Sequence, residues 1–376
     1  MNFFMLEYIQ GVIMMKILAA FDSFKESMTA YAAGEAVQRA YNNVHICPLA
    51  DGGEGTMEVM NRYLHGDIHE IEVAGPLFKT VHAKLAIMDD LAIIESAQAC
   101  GLDYLTEEEK NGTEATSYGV GEMMKYAYDH GVKRFLLTLG GSACNDGGIG
   151  LLSGMGYGFF DQFDQRIPMN ARGLETLDHI KKTRLDLSSI EVEGACDVTN
   201  PLCGKEGATY VFGPQKKVKD LEKTDQAMKH YAKIMSELVD KDDSCVPGAG
   251  AAGGMGYAIV TGLKGKLVTG FDAVSRTVHL EEAIQEADII FTGEGKMDHQ
   301  TLYGKTPIGV LRLAQKYNKP VVAFCGKCED KETLLEAGFE DVRCINHTDE
   351  PLSVLLEKGP QYLEEEVRRY LEEKNV

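Results

Sequence analysis

The feature that most constrains this chain is a recurring unit. A short apolar run ends in a break rich in glycine and acidic residues, and apolar positions at helical spacing follow. The unit is plainest at Ile289–Gly309, IIFTGEGKMDHQTLYGKTPIG. Ile289–Phe291 reads as a buried strand, broken by Gly293-Glu294-Gly295, where a backbone without Cβ atoms can approach a ligand closely. Glu294 and Asp298 place two carboxylates within five positions, with Lys296 between them. Thr306 then reads as an N-cap, and Pro307 suits a first helical turn. A strand, a glycine loop carrying acid and base, and a helix start make an anion site at the carboxyl end of a sheet.

The same unit recurs along the chain. Lys16–Phe21 reads as the first strand and ends in Asp22, with Lys25 close behind and Thr29 as the cap of a helix to about Tyr41. A strand at Val44–Cys47 leads into PLADGGEGT, where Asp51 and Glu54 stand among Gly52, Gly53 and Gly55. Near Gly75-Pro76 the character changes. Thr80–Ile87 and Leu91–Glu95 read as short strands of a separate domain with antiparallel pairing, and a helix follows at Tyr118–Asp129. Arg134–Leu139 is another buried strand, ending in GGSACNDGG. In that loop Gly140, Gly141, Ser142 and Asn145 offer a ring of donors for phosphate, and Asp146 a carboxylate for a metal. Asp197 closes a further strand, and Lys216-Lys217 is a local basic cluster. Strands at Pro320–Phe324 and Asp341–Ile345 and a helix from Gln361 complete an α/β pattern.

Charge and cysteine usage exclude several classes. A chain of 376 residues suits about two α/β domains. A net charge of −20 with no basic stripe excludes nucleic acid as the expected partner. An anionic substrate must then be held by local Lys, metal ions and backbone N–H groups. Nine scattered cysteines fit a reduced, cytoplasmic setting, and no apolar run reaches membrane-spanning length. Residues 1–14 carry no motif and read as an extension ahead of Met15-Lys16. Gly248–Gly253 spells GxGxxG, but no strand precedes it. Gly304-Lys305-Thr306 echoes a P-loop tail, but His299 stands where that motif needs glycine. Cys325 and Cys328 have redox spacing and read as structural thiols.

Taken together, FDSFK at Phe21–Lys25, PLADGGEGT at Pro48–Thr56, LGGSACNDGG at Leu139–Gly148, ACDVTNPLCG at Ala195–Gly204 with VFGPQK at Val211–Lys216, PGAGAAGGMG at Pro247–Gly256, and Thr292–Gly309 resemble the glycerate kinase type 1 family. The likeness runs in order from about Met15 to the C-terminal region. Three departures stand out: Phe21 where the family usually has Pro, Glu26 where it has Gly, and Cys144 where it has Thr.

The resemblance implies ATP-dependent phosphorylation of D-glycerate with Mg²⁺, with the 2-hydroxyl as the expected acceptor. It implies a flavodoxin-like doubly wound domain built from residues 15–76 and 285–376, and an inserted α/β domain, 77–284, resembling a restriction-enzyme-type core. From residue chemistry, Asp51 is the expected base, with Asp22 beside it in the catalytic set. Lys305 or Lys25 is expected to hold the glycerate carboxylate or the γ-phosphate. Gly52, Gly53, Glu54, Gly140, Gly141, Ser142, Asn145, Gly293, Glu294 and Gly295 are the expected substrate and nucleotide contacts, and Asp197 and Asp298 the expected metal ligands. A kinase of another small hydroxy acid and a non-catalytic phospho-ligand sensor are the competing readings.

Overall fold

A computed structural model describes residues 14–53, 55–298, 301–302, 305–347 and 350–375. The N-terminal extension before Met14, Glu54 and Gly304 lie outside the described residues. The chain divides into two compact units. One combines the segment up to Asp51 with the segment from Val274 on; the other is Gly52–Ala273. The first division therefore falls inside the DGGEGT loop, earlier than residue 76. The reason is a strand absent from the expectations: Asp67–Ala74 pairs antiparallel with Thr80–Met88 and so belongs to the second unit's sheet.

The first unit is organised on five parallel strands in the spatial order Asp341–Cys344, Val321–Cys328, Ile289–Met297, Ile17–Phe21, Val44–Ile46. Numbered along the chain within this unit, that order is 2-1-3-4-5 from the Val44 edge, one of the two common doubly wound arrangements. The Ile17–Phe21 strand is buried at every position, as expected for a parallel strand covered on both faces. Ile17, Ala19 and Phe21 face the helices Ala30–Ala40 and Gly359–Glu373, through Ala33, Val37, Leu363, Val367 and Tyr370. Phe291 meets Tyr370 edge to face, at 5.5 Å between ring centroids. Thr29 caps the Ala30–Ala40 helix as expected, its hydroxyl accepting from Ala32 N.

The second unit carries a mixed six-stranded sheet in the order Lys266–Val268, Glu191–Ala195, Arg134–Thr138, Leu91–Glu95, Thr80–Met88, Asp67–Ala74. The first four run parallel; the last two add antiparallel at one edge. The carboxyl ends of the four parallel strands thus share one rim. The GxGxxG stretch follows a turn rather than a strand, and Ala252 to Gly254 take left-handed backbone angles there. Cys325 is buried within its strand, where burial pushes the thiol up and keeps it protonated. All nine cysteines are free.

The departure at Glu26 has a structural consequence. Phe24 and Met28 bridge a tight turn, and Glu26 sits inside it at φ 64°, the left-handed region where a side chain is strained. Its side chain is exposed. Glu26→Gly should therefore raise stability by about 0.5–1 kcal/mol. The check is a higher denaturant midpoint at unchanged slope.

Candidate active site

In the first unit the acids gather because two neighbouring strands end together. Phe21 lies opposite Gly293, and the Asp22 N–H donates to the Gly293 carbonyl at 3.0 Å. Asp22 is the next residue on one strand and Glu294 the next on the other. The Asp22 carboxylate accepts the Ser23 N–H on Oδ1 and the Thr306 hydroxyl on Oδ2, each at 2.7 Å. Burial is the main cause that pushes the Asp22 carboxyl up to about 6; the Thr306 bond pulls it down, and the charges of Asp51 and Glu294 push it further up. Glu294 is also raised, first by burial, against the opposing pull of Lys305 and Thr301. Its Oε1 accepts the Thr301 hydroxyl at 2.9 Å, and its Oε2 takes Lys305 Nζ at 3.1 Å.

Asp298 is buried just beyond, with Oδ2 3.1 Å from Lys296 Nζ, which also pairs with Glu329 at 2.8 Å. Lys25 is exposed, and its backbone N lies 3.6 Å from where a Cβ on Gly295 would stand. Asp51 is exposed at the end of the stretch that continues from the edge strand. The structure thus brings Asp22, Asp51, Glu294, Asp298, Lys305 and Lys25 to one end of one sheet.

The expected glycine loop at Gly293–Gly295 is corrected. The strand runs on to Met297, in register with Val321–Cys328, so Gly293 and Glu294 sit in a paired ladder. The Phe324 carbonyl lies 1.8 Å from where a Gly293 Cβ would stand, so glycine serves close strand packing here rather than a phosphate cradle. Thr306 is corrected too: Lys305 occupies the cap position and Thr306 is the first helical residue, its hydroxyl turned to Asp22. Thr301 and Thr306 are the site residues that the sequence left unassigned. A Thr before Pro reads as a cap; its partner is 284 residues away, beyond any local signal.

In the second unit the loop after Arg134–Thr138 opens with Gly140, Gly141 and Ser142. Among the described residues no hydrogen bond engages the N–H groups of Gly140, Gly141 and Ser142, three consecutive donors at the carboxyl end of a strand. Gly141 has φ 68°, and a Cβ on Gly140 would meet Gly53 Cα at 3.6 Å, so Gly53 lies beside the same loop. Gly52 is buried, with Gly270 Cα 2.6 Å from the position of a Cβ. The rest of the loop is structural. Asn145, expected at the nucleotide, is fully buried, and its amide donates to Thr209 at 2.9 Å. Asp146, expected to face a metal, is fully buried and accepts from Ser117 N and Oγ, Gly148 N and Gly150 N. The loop turns back into the core after Ala143, which carries both side chains inward. Asp197 is exposed, and its Oδ1 accepts Gly270 N at 2.9 Å, at the start of the Gly270–Thr277 helix.

Residues 17–373 match the family model described as the glycerate kinase family. The chain belongs to the glycerate kinase family. It is 40% identical over 362 residues to a glycerate kinase of Haemophilus influenzae, covering 93% of this chain and 96% of that one. It is 38% identical over 328 residues to the glycerate 2-kinase of Escherichia coli, covering 84% and 86%. A crystal structure from Salmonella typhimurium, assigned as a glycerate kinase 2, superposes with a TM-score of 0.88 at 37% identity, over 96% of this chain and 98% of that one. As a member of the glycerate kinase family the protein is an enzyme, a kinase, with ATP as co-substrate and a small molecule as acceptor. The sensor reading is set aside. Among the described residues no helix is long and apolar enough to cross a membrane.

The hydrogen bond from Thr306 favours the ionised form of Asp22. Thr306→Val removes it, so the Asp22 carboxyl rises further, by about one pH unit. The acid limb of the pH–rate profile should move up by the same amount, measured as kcat from about pH 5 to about pH 8.5. An unmoved limb would separate Asp22 from the rate.

Proposed function

We propose that the enzyme transfers the γ-phosphoryl group of ATP to the 2-hydroxyl of D-glycerate, giving 2-phosphoglycerate and ADP, in the cytosol. The acceptor is supported by relatives named glycerate kinase, and the position by the Escherichia coli relative named glycerate 2-kinase. The observation that carries the chemistry is the acid pair at the strand ends, Asp22 and Glu294, half-buried beside Lys305. The two compact units are read as the two domains: the flavodoxin-like one from both chain ends, and the inserted one at Gly52–Ala273.

In the transfer, a bond forms between the substrate oxygen and the γ-phosphorus while the bond to the β–γ bridging oxygen breaks. The hydroxyl proton goes to a carboxylate. Asp51 is the base that residue chemistry suggests; Asp22 is the one preferred here. It is fixed by two hydrogen bonds, and a carboxyl pushed up to about 6 accepts a proton near neutral pH more readily than an ordinary one. Lys305, poised on Glu294, supplies a point charge for the glycerate carboxylate or the transferring phosphoryl group. Gly140, Gly141 and Ser142 offer their free N–H groups to nucleotide phosphates.

The residues fit a Mg²⁺ ion. Beyond burial, the charges of Asp51 and Glu294 push the Asp22 carboxyl up, and a divalent cation would relieve that repulsion. Among the described residues no cluster of three or more metal-binding side chains is assembled. Mg²⁺ takes one or two carboxylates and completes its shell with water and substrate phosphates. Asp298 and Asp197 are the expected ligands; the ion would neutralise charge on the phosphates.

The test is ATP turnover with D-glycerate, with a panel of other short hydroxy acids, and without acceptor, the product being assigned by phosphorus NMR. D-Glycerate should give the highest kcat/KM and the 2-phosphate; another acid ahead of it would replace the substrate assignment. Asp22→Asn should lower kcat by roughly 10²–10⁴-fold with both KM values nearly kept. The same loss in Asp51→Asn, with Asp22→Asn near normal, would return the base to Asp51. Asp298→Asn should raise the Mg²⁺ concentration for half-maximal rate.

A further inference from the structure

The loop with the free N–H groups is backed by a buried cation. Lys216 closes the short Pro214–Lys216 turn, its side chain fully within the second unit. Its Nζ donates to Ser142 Oγ at 3.0 Å and to the Cys144 carbonyl at 2.7 Å. Its own carbonyl accepts Gly112 N at 2.7 Å, so the backbone that carries it is held as well. A buried ammonium normally has a carboxylate partner, because desolvation of the charge is costly. Among the described residues Lys216 has no ion pair within 4.0 Å. Asp146 is the acid that acts on it, and the oxygens of Asp146 are spent on Ser117, Gly148 and Gly150. The remaining titratable neighbours are the Cys100 and Cys144 thiols. Cys144 is pushed well up by the Cys100 thiol beside it and by burial, so it supplies no counter-charge.

A cation with no adjacent counter-ion among the described residues, bonded to the two ends of a segment whose neighbouring N–H groups no described residue engages, fits an anion bound on those groups. We propose that Lys216 is a positioning residue for the nucleotide: it holds Ser142 and the Cys144 backbone so that the N–H groups of Gly140, Gly141 and Ser142 converge, and its charge completes the binding of the ATP phosphates from behind the loop. This rests on the reading of Gly140–Ser142 as the phosphate loop. Lys216 does not touch the reacting atoms. Burial lowers its proton affinity, and a phosphate on the loop opposes that.

Lys216→Met removes the charge and both hydrogen bonds at similar length. The expected result is a rise in KM for ATP and in Kd for ADP of on the order of ten- to thirtyfold. Adenosine affinity and the KM for D-glycerate should stay within about twofold. Equal loss of adenosine and ADP binding, or a raised D-glycerate KM with ATP unchanged, overturns the inference. Because Lys216 is buried and its loss also bears on folding, Ser142→Ala is the parallel variant: it keeps the cation and removes one acceptor. Its ADP Kd should rise by a few-fold with adenosine unaffected, and an unchanged ADP Kd overturns the inference by itself. Absence of wild-type turnover with every acceptor would overturn the functional reading instead, and the ADP and adenosine titrations would still decide the role of Lys216.

Discussion

Gly293 sits where three parallel strands run side by side, opposite Phe21 on one neighbour and Phe324 on the other. With the Phe324 carbonyl 1.8 Å from a would-be Cβ, no side chain fits there without moving the ladder. The register that Gly293 permits is what makes Asp22 and Glu294 neighbours. A slip of one residue would turn Glu294 to the opposite face, away from Lys305 and Thr301. The carboxylate chemistry of the first unit therefore depends on a backbone contact inside the sheet, not on the acids alone.

Burial then sets the properties of the charged groups. Asp22 and Glu294 share a half-buried rim where the charges of Asp51 and Glu294 make Asp22 harder to ionise and that of Asp298 does the same to Glu294. The threonines answer this: the Thr306 hydroxyl serves Asp22, and Thr301 serves Glu294 while accepting the Asp298 N–H at 3.2 Å. In the second unit the division of labour is different. Asp146 binds four donors and fixes the loop, while Lys216 is given only neutral acceptors. A chain of net charge −20 can hold a polyanionic nucleotide only where donors and cations are concentrated locally. The stretch Gly140–Ser142 with Lys216 behind it concentrates donors and a cation in this way.

The repeating unit of apolar run, polar break and helical spacing was enough to place most elements. Thr80–Met88, Leu91–Glu95, Tyr118–Asp129 and the C-terminal strands fall within a few residues of where periodicity put them. Asp67–Ala74 escaped because its partly exposed alternation carries charges at the outward positions, and with it went the boundary between the units. Glu26 was visible as a departure from a family pattern, but only the backbone angle of 64° explains why glycine suits that position.

By itself the sequence determined which chemistry was available: acids and glycines at strand ends, the helix starts, and the absence of a basic surface. Those follow from local rules, since a strand that must be buried ends in whatever residues come next in the chain. Which of those residues meet was decided by the tertiary structure alone. Asn145 and Asp146 look like ligands in a glycine loop, yet they point inward because the loop turns back after Ala143. Thr306 looks like a cap, yet it serves an aspartate 284 residues away. Lys216 looks like half of a solvated pair, yet it is the buried one. In each case the side chain's partner comes from a different strand or loop, and strand order and register, which no local pattern encodes, set that distance.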